Sequence, residues 1–104
     1  MTQRPPEKEY LLGVNQVELE RLRFQHSVWG AVTGSFFDRL GVGRGWKCLD
    51  VGAGPGFVSM DLLDRLGPAG EVAALEPSQL YLKWFKNEVQ RKGWKNVEIG
   101  RAHV

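Results

Sequence analysis

Apolar residues fall at helical spacing in the first third of the chain and at strand-like spacing after it. From about Val14 to Trp29, the positions Val14, Val17, Leu22 and Val28, set among the charged run Glu18-Leu19-Glu20-Arg21-Leu22-Arg23, predict one amphipathic helix. A second helical patch, Ser35 to Leu40, runs into Gly41-Val42-Gly43-Arg44-Gly45, a glycine cluster that marks a connection between elements. Trp46 to Val51 is short and mostly apolar, as a strand is. Phe57 to Leu66 places Val58, Leu62, Leu63 and Leu66 on one helical face, and Gly67-Pro68-Ala69-Gly70 reads as a turn. The unit then repeats. Glu71 to Glu76 is a second strand, Ser78 caps a helix running to Arg91 or Lys92 with Gly93 near its C-terminus, and Asn96 to Ile99 is a third strand. Residues 1–9, polar and carrying Pro5-Pro6, read as an extended arm.

Strand, helix, strand, helix, strand at these lengths requires right-handed crossovers and therefore a parallel sheet, so the expected class is α/β. With 104 residues, 42% hydrophobic and 25% charged, the chain is ordinary globular material for a single domain. Its 14 Lys and Arg against 12 Asp and Glu leave a net charge of +2, which points to no nucleic-acid partner. Residues 83–101 are locally basic (Lys83, Lys86, Arg91, Lys92, Lys95 and Arg101 against Glu88 and Glu98), and such a run reads as a solvated helix face. The lone Cys48 has no internal disulfide partner, which makes a reducing, cytoplasmic compartment the default. No apolar run approaches the roughly 18 residues of a membrane span, the N-terminus carries no apolar signal core, and His and Cys form no cluster with metal-ligand spacing.

The candidate chemistry is concentrated where the first strand meets its helix, in Leu49-Asp50-Val51-Gly52-Ala53-Gly54-Pro55-Gly56-Phe57. Glycines there let the chain turn sharply and let a ligand approach the main chain, while the helix N-terminus offers free N–H groups to a carboxylate or another anion. A dinucleotide fingerprint needs G-x-G-x-x-G, and its third glycine would fall at Phe57. The loop instead reads G-x-G-x-G, which disfavours a nicotinamide oxidoreductase, and no Gly-Lys-Ser/Thr follows to make a P-loop. Glu76 ends the second strand, where a parallel sheet brings it beside this loop. Its two acceptor oxygens suit the 2′ and 3′ hydroxyls of a ribose; the alternative is that Glu76 caps the helix beginning near Ser78. Cys48, inside the first strand, reads as a packed apolar residue rather than a nucleophile. His26 and His103 read as surface or satisfied histidines, and Trp84 and Phe85 as packing residues of the second crossover helix.

At these motifs the chain resembles the class I S-adenosylmethionine-dependent methyltransferases, in particular their small-molecule branch, over about residues 10–104. Leu49 to Gly56 looks like that family's first motif, and Leu75-Glu76-Pro77-Ser78 like the acidic strand end that follows it. The resemblance implies a Rossmann-like sheet with strand order 3-2-1, S-adenosyl-L-methionine as cofactor and a small-molecule methyl acceptor. It implies that Gly52, Ala53, Gly54 and Gly56 line the methionine part of the cofactor. Asp50 would support the loop or reach the cofactor amino group through water, Glu76 would hold the ribose, and Pro77 would lie against the adenine. Where the family has Gly-Asp-Ala after the third strand, this chain has Gly100-Arg101-Ala102. Arg101 donates and does not accept, so the backbone N–H of Ala102 is the group left to reach the base. Residues 10–45 resemble the family's lid. Glu18, Arg21 and Gln25 share a helix face, to be read either as Arg21 or Gln25 facing the cofactor carboxylate or as a solvated, ion-paired surface.

A class I sheet has seven strands and three are legible here, so the expectation is a cofactor-binding part whose first strand is an open edge. No catalytic residue can be named, because methyl transfer asks the protein chiefly to align acceptor and methyl carbon. The competing reading is a non-catalytic half-domain that uses its strand edge to bind a partner or a second copy of itself.

Overall fold

The structure is a computed structural model that describes residues 7–102, with side chains from residue 16 onward. Six elements follow one another: α1 (Glu7–Leu40), β1 (Lys47–Val51), α2 (Phe57–Leu66), β2 (Glu71–Glu76), α3 (Gln79–Lys92) and β3 (Val97–Arg101). The three strands form one parallel sheet in the order β1-β2-β3, with Cys48 opposite Val72 and Val72 opposite Val97. The α/β class and the 3-2-1 order are therefore as expected.

α2 and α3 lie on the same face of the sheet, since Met60 of α2 and Phe85 of α3 pack together with Ala74 of β2, the arrangement that two crossovers of the usual right hand give when the strands follow one another in order. Alternation along the strands divides the residues between the faces. Val72 and Ala74, each 1% exposed, point into the helical layer, where Leu62, Leu63 and Leu66 of α2 form one core cluster and Met60 and Phe85 complete a second. Leu49 and Val51 point the other way and are 63% and 71% exposed. The helix ends follow local rules: Gly41 and Gly93 are left-handed and close α1 and α3, with Val42 N–H reaching the Phe37 carbonyl and Trp94 N–H the Val89 carbonyl. Asn96 Nδ2 donates to the carbonyls of Gly67 and Gly70 and so ties the entry of β3 to the turn before β2.

The N-terminal third departs from expectation. Two helical pieces were predicted, and the chain forms one 34-residue helix through Gly30 and Gly34. Glycine inside a helix costs about 1 kcal/mol against alanine, a penalty that contacts on both sides of the pair overcome. His26 and Asp38 both reach α2, and Phe37 packs on the first core cluster. The predicted apolar face holds only in part: Leu22 is half-buried, but Val17 and Val28 are exposed and the buried residue is Leu19, which lies off that face; the side chain of Val14 lies outside the described residues. Helical spacing recurs on more than one stripe of α1, and only docking against α2 and α3 selects which stripe is covered. Of the predicted arm, residues 7–9 belong to α1 and residues 1–6 lie outside the described residues, as does His103. The strand limits shift slightly, β1 beginning at Lys47 and β3 ending at Arg101. A chain of this length packs to a radius of gyration of about 13 Å, and the observed 15.6 Å reflects the length of α1.

Candidate functional site

The glycine loop leaves β1 at Val51 and enters α2 at Phe57, on the carboxyl side of the strands where open α/β sheets take their ligands. Its backbone is pinned to β2, since the N–H groups of Gly52 and Ala53 both donate to the Leu75 carbonyl at 2.8 and 3.0 Å. Asp50 fastens it from the other side by accepting the Ser59 hydroxyl at 2.6 Å, with Ser59 fully buried in α2. Gly56 is left-handed at φ 91° and passes so close to Phe85 that a Cβ there would sit 2.5 Å from the ring. Gly54 is also left-handed, at φ 59°, yet a Cβ on it would face open space. One glycine serves packing and the other leaves a clearing. Half-buried Ala53 packs on the cluster around Phe85.

Glu76 stands behind the loop, 7% exposed. Its Oε1 accepts the Gly54 N–H and its Oε2 the Ser78 N–H, both at 2.7 Å. The helix-capping alternative is thus half of what the residue does, and the other half braces the loop. Each carboxylate oxygen takes up to two hydrogen bonds, so each retains an acceptor position for a hydroxyl. Ser78 caps α3 through its own hydroxyl, which accepts the Tyr81 N–H. Burial first, and then the Glu18 carboxylate, push the Tyr81 hydroxyl above the ordinary phenol range, with Arg21 opposing them.

Other predicted site residues fall as follows. Pro77 is exposed, and its carbonyl accepts Arg101 Nε at 3.3 Å, so Arg101 lies along the β2–α3 connection. Ala102 does not offer a free N–H, because that group donates to the Glu76 carbonyl at 3.2 Å and continues the β2–β3 ladder one residue past β3. The expected contact from Ala102 N–H to a base is therefore corrected. Cys48 is half-buried against the first core cluster, and burial pushes its thiol up. The six basic side chains between Lys83 and Arg101 are all exposed.

Across the glycine loop stands α1. Leu22, Gln25, His26, Trp29 and Thr33 face Gly52, Ala53, Gly54 and Phe57 over a groove of about 350 Å³. Arg21 is outside this lining, its guanidinium held by Glu18 one turn earlier, whereas Gln25 is inside it. His26 stacks on Phe57 with ring centroids 5.4 Å apart, and its Nε2 lies 3.0 Å from Asp61 Oδ2. Nothing in the sequence signalled this pair, because the two residues lie on different helices and meet only when α1 docks. A larger cavity of about 640 Å³ opens at the amino ends of the strands, around Lys47, Gly70 and Lys95, and none of the glycine-loop residues lines it.

Residues 19–103 match the sequence pattern of the ubiE/COQ5 methyltransferase family. The chain belongs to that family. Relatives agree: a demethylmenaquinone methyltransferase of Lactococcus lactis is 34% identical over 75 residues, covering 72% of this chain and 29% of that protein. Among solved structures, an Aquifex aeolicus SAM-dependent methyltransferase superposes with a TM-score of 0.62 at 28% identity, over 67% of this chain and 37% of that one. A precorrin-6y C5,15-methyltransferase of Geobacter metallireducens superposes with a TM-score of 0.61 at 25% identity, over 69% and 37%. The chain spans less than a third of the length of the curated relatives it matches. Family members use S-adenosylmethionine, and the residues here fit it on three counts. Glu76 keeps acceptor positions beside the loop, Gly52 and Gly54 leave the space in front of them clear, and α1 closes a groove over both.

Proposed function

We propose that this chain is the cofactor-binding part of an S-adenosylmethionine-dependent methyltransferase that acts on a small-molecule acceptor. The observation that carries it is the Glu76 carboxylate, buried against Gly54 at the carboxyl end of β2 with acceptor positions to spare. In this reading Glu76 takes the ribose hydroxyls and Pro77 borders the adenine. Gly52, Ala53, Gly54 and Gly56 line the methionine end, Asp50 holds the loop in place through Ser59, Ala102 holds the Glu76 backbone in place, and residues 10–45 form the lid. When bound, the cofactor supplies a sulfonium methyl group, which needs no metal or nucleophilic side chain from the protein. The named relatives, a demethylmenaquinone and a precorrin enzyme, support a small organic acceptor. No helix of the described residues is long and apolar enough to cross a membrane. With the unpaired Cys48, this supports a cytoplasmic setting.

Titration of the 104-residue chain with S-adenosylhomocysteine tests the reading. Binding and a rise in melting temperature are expected, since a ligand held only by the folded state stabilises it. Glu76→Gln should weaken that binding by about 1.5–3 kcal/mol, the range for hydrogen bonds to a charged group. Unchanged affinity in calorimetry would remove Glu76 from the site. A second reading, a binding module that works through its sheet, is favoured by one observation, the exposure of Leu49 and Val51 on the uncovered face.

A further inference from the structure

We propose that the outer face of α1 pairs with the same face of a second copy of this chain, the two helices running in opposite senses about a two-fold axis near residue 30. The inference is independent of the cofactor reading, since none of the residues that carry it lines the groove over the glycine loop.

α1 docks on its own chain through one side, where Leu19 is buried, His26 reaches Asp61 and Phe37 joins the first core cluster. Away from that side, Phe24, Val28, Val32, Phe36 and Leu40 recur at every fourth position, and each is between 53% and 70% exposed. Residues four apart on a helix form a continuous ridge. Beside it runs a second row at the same spacing, Ser27, Ala31 and Ser35, all small and all exposed. The Ser27 hydroxyl donates to the Phe24 carbonyl at 2.6 Å, so it is folded onto its own helix and needs no new partner when covered. A tall row beside a low one suits another helix of the same shape. The ridge of each copy enters the furrow of the other, at the crossing angle of about −50° that rows four apart give.

The order along the ridge selects the partner. Phe24, Val28, Val32 and Phe36 read the same from either end, with their midpoint at residue 30. A two-fold axis there sets Phe24 against Phe36 of the second copy and Val28 against Val32, each contact made twice, which is the form of an isologous interface. The area is sufficient. The five apolar side chains expose about 500 Å² on each copy, so joining two copies removes about 1,000 Å² before the small row is counted, the size that a specific interface must reach. Charge agrees as well. In this register Arg39 comes level with Glu18 to Arg21 of the second copy, a turn with two acids and one base, and Arg39 makes no ion pair among the described residues of its own chain.

Leu49 and Val51 on the bare face of the sheet give the chain a separate way to associate, so the test uses the 104-residue chain with Leu49→Lys and Val51→Lys. Sedimentation equilibrium should find it as a reversible dimer at concentrations in the tens of micromolar. Adding Val28→Glu and Val32→Glu should raise the dimer dissociation constant about a hundredfold, because four carboxylates then meet on the axis. Both positions are exposed on a helix and glutamate is a good helix former, so the melting temperature of the dilute chain should stay within about 4 °C. Register is read independently of those substitutions, by disulfide trapping. Val28→Cys chains mixed with Val32→Cys chains should form the 28–32 link, identified by mass spectrometry, faster than Val28→Cys chains link to one another. A monomer throughout the concentration range would give the ridge to some other polypeptide and overturn the proposal. A dimer that withstands Val28→Glu and Val32→Glu would place the contact elsewhere and overturn it too. Faster trapping among Val28→Cys chains would require parallel helices, and that also refutes it.

Discussion

Gly54 and Gly56 lie two residues apart, and a methyl group added at each should have opposite consequences. At Gly56 the new Cβ would stand 2.5 Å from the buried Phe85 ring, on a backbone at φ 91°. Neither the ring, which is 0% exposed, nor the backbone has room to yield. Gly56→Ala should therefore destabilise the fold by about 2–4 kcal/mol, strain and overpacking together, read as a fall in the urea midpoint. At Gly54 the Cβ would enter open space and only the left-handed backbone is strained, a cost of about 1 kcal/mol. Gly54→Ala should thus fold and lose cofactor affinity, because the methyl occupies the clearing. If it folds and binds S-adenosylhomocysteine with unchanged affinity, the clearing is not part of the ligand's site. Both glycines were legible as loop residues from their G-x-G-x-G spacing. Which one was structural and which faced a ligand was not, since Phe85 is 29 residues downstream of Gly56 and reaches it through tertiary packing alone.

Among the elements, α1 is the one whose sequence and structure disagree most, and its two glycines show why. Gly30 has only the His26 ring near its missing side chain, at 3.6 Å, an ordinary contact distance. Gly30→Ala should therefore stabilise the chain by about 0.5–1 kcal/mol, a rise in melting temperature of roughly 2–8 °C. Gly34 differs, because a Cβ there would meet Arg65 Nη2 at 2.7 Å and displace the guanidinium that holds Asp38 and covers Phe37. Gly34→Ala should give less than Gly30→Ala or nothing, and an equal gain at both sites would mean that the Arg65 contacts contribute nothing to docking α1. Propensity alone places a break at this glycine pair. Contacts from α2 hold the helix through it, an instance of tertiary packing overruling a local preference of about 1 kcal/mol per residue. By contrast α2 and α3 were legible nearly to the residue, because Gly67, Ser78 and Gly93 mark their limits through local geometry.

For the molecule as a whole, the consequence of the 3-2-1 order is that the helices cover one face of the sheet and leave the other bare. Leu49 and Val51 lie on that face, and β1 has no strand on its outer side among the described residues. An apolar edge strand of this kind is a template for another strand. We therefore expect the 104-residue chain to self-associate, seen as a concentration-dependent mass in sedimentation equilibrium. A Leu49→Lys, Val51→Lys variant should shift toward monomer while still binding S-adenosylhomocysteine, since neither side chain lines the groove. A monomer at every concentration in the unsubstituted chain would show that the bare face is tolerated in water and would count against both self-association and a module that works through its edge.

By itself the sequence determined the order of elements, the parallel sheet, the glycine loop and the acid at the end of β2. Each of these is encoded within a few residues, by period, by turn glycines or by caps, and a right-handed crossover then leaves a single arrangement for the strands. The tertiary structure decided the rest: the continuity and covered face of α1, the two tasks of Glu76, the engagement of the Ala102 amide, and the meeting of His26 with Asp61. These depend on groups far apart in the chain that become neighbours only when a helix docks or a ladder extends. Local patterns carry no information about such meetings, because the free energy that selects among equivalent helix faces comes from the partner surface and not from the helix itself.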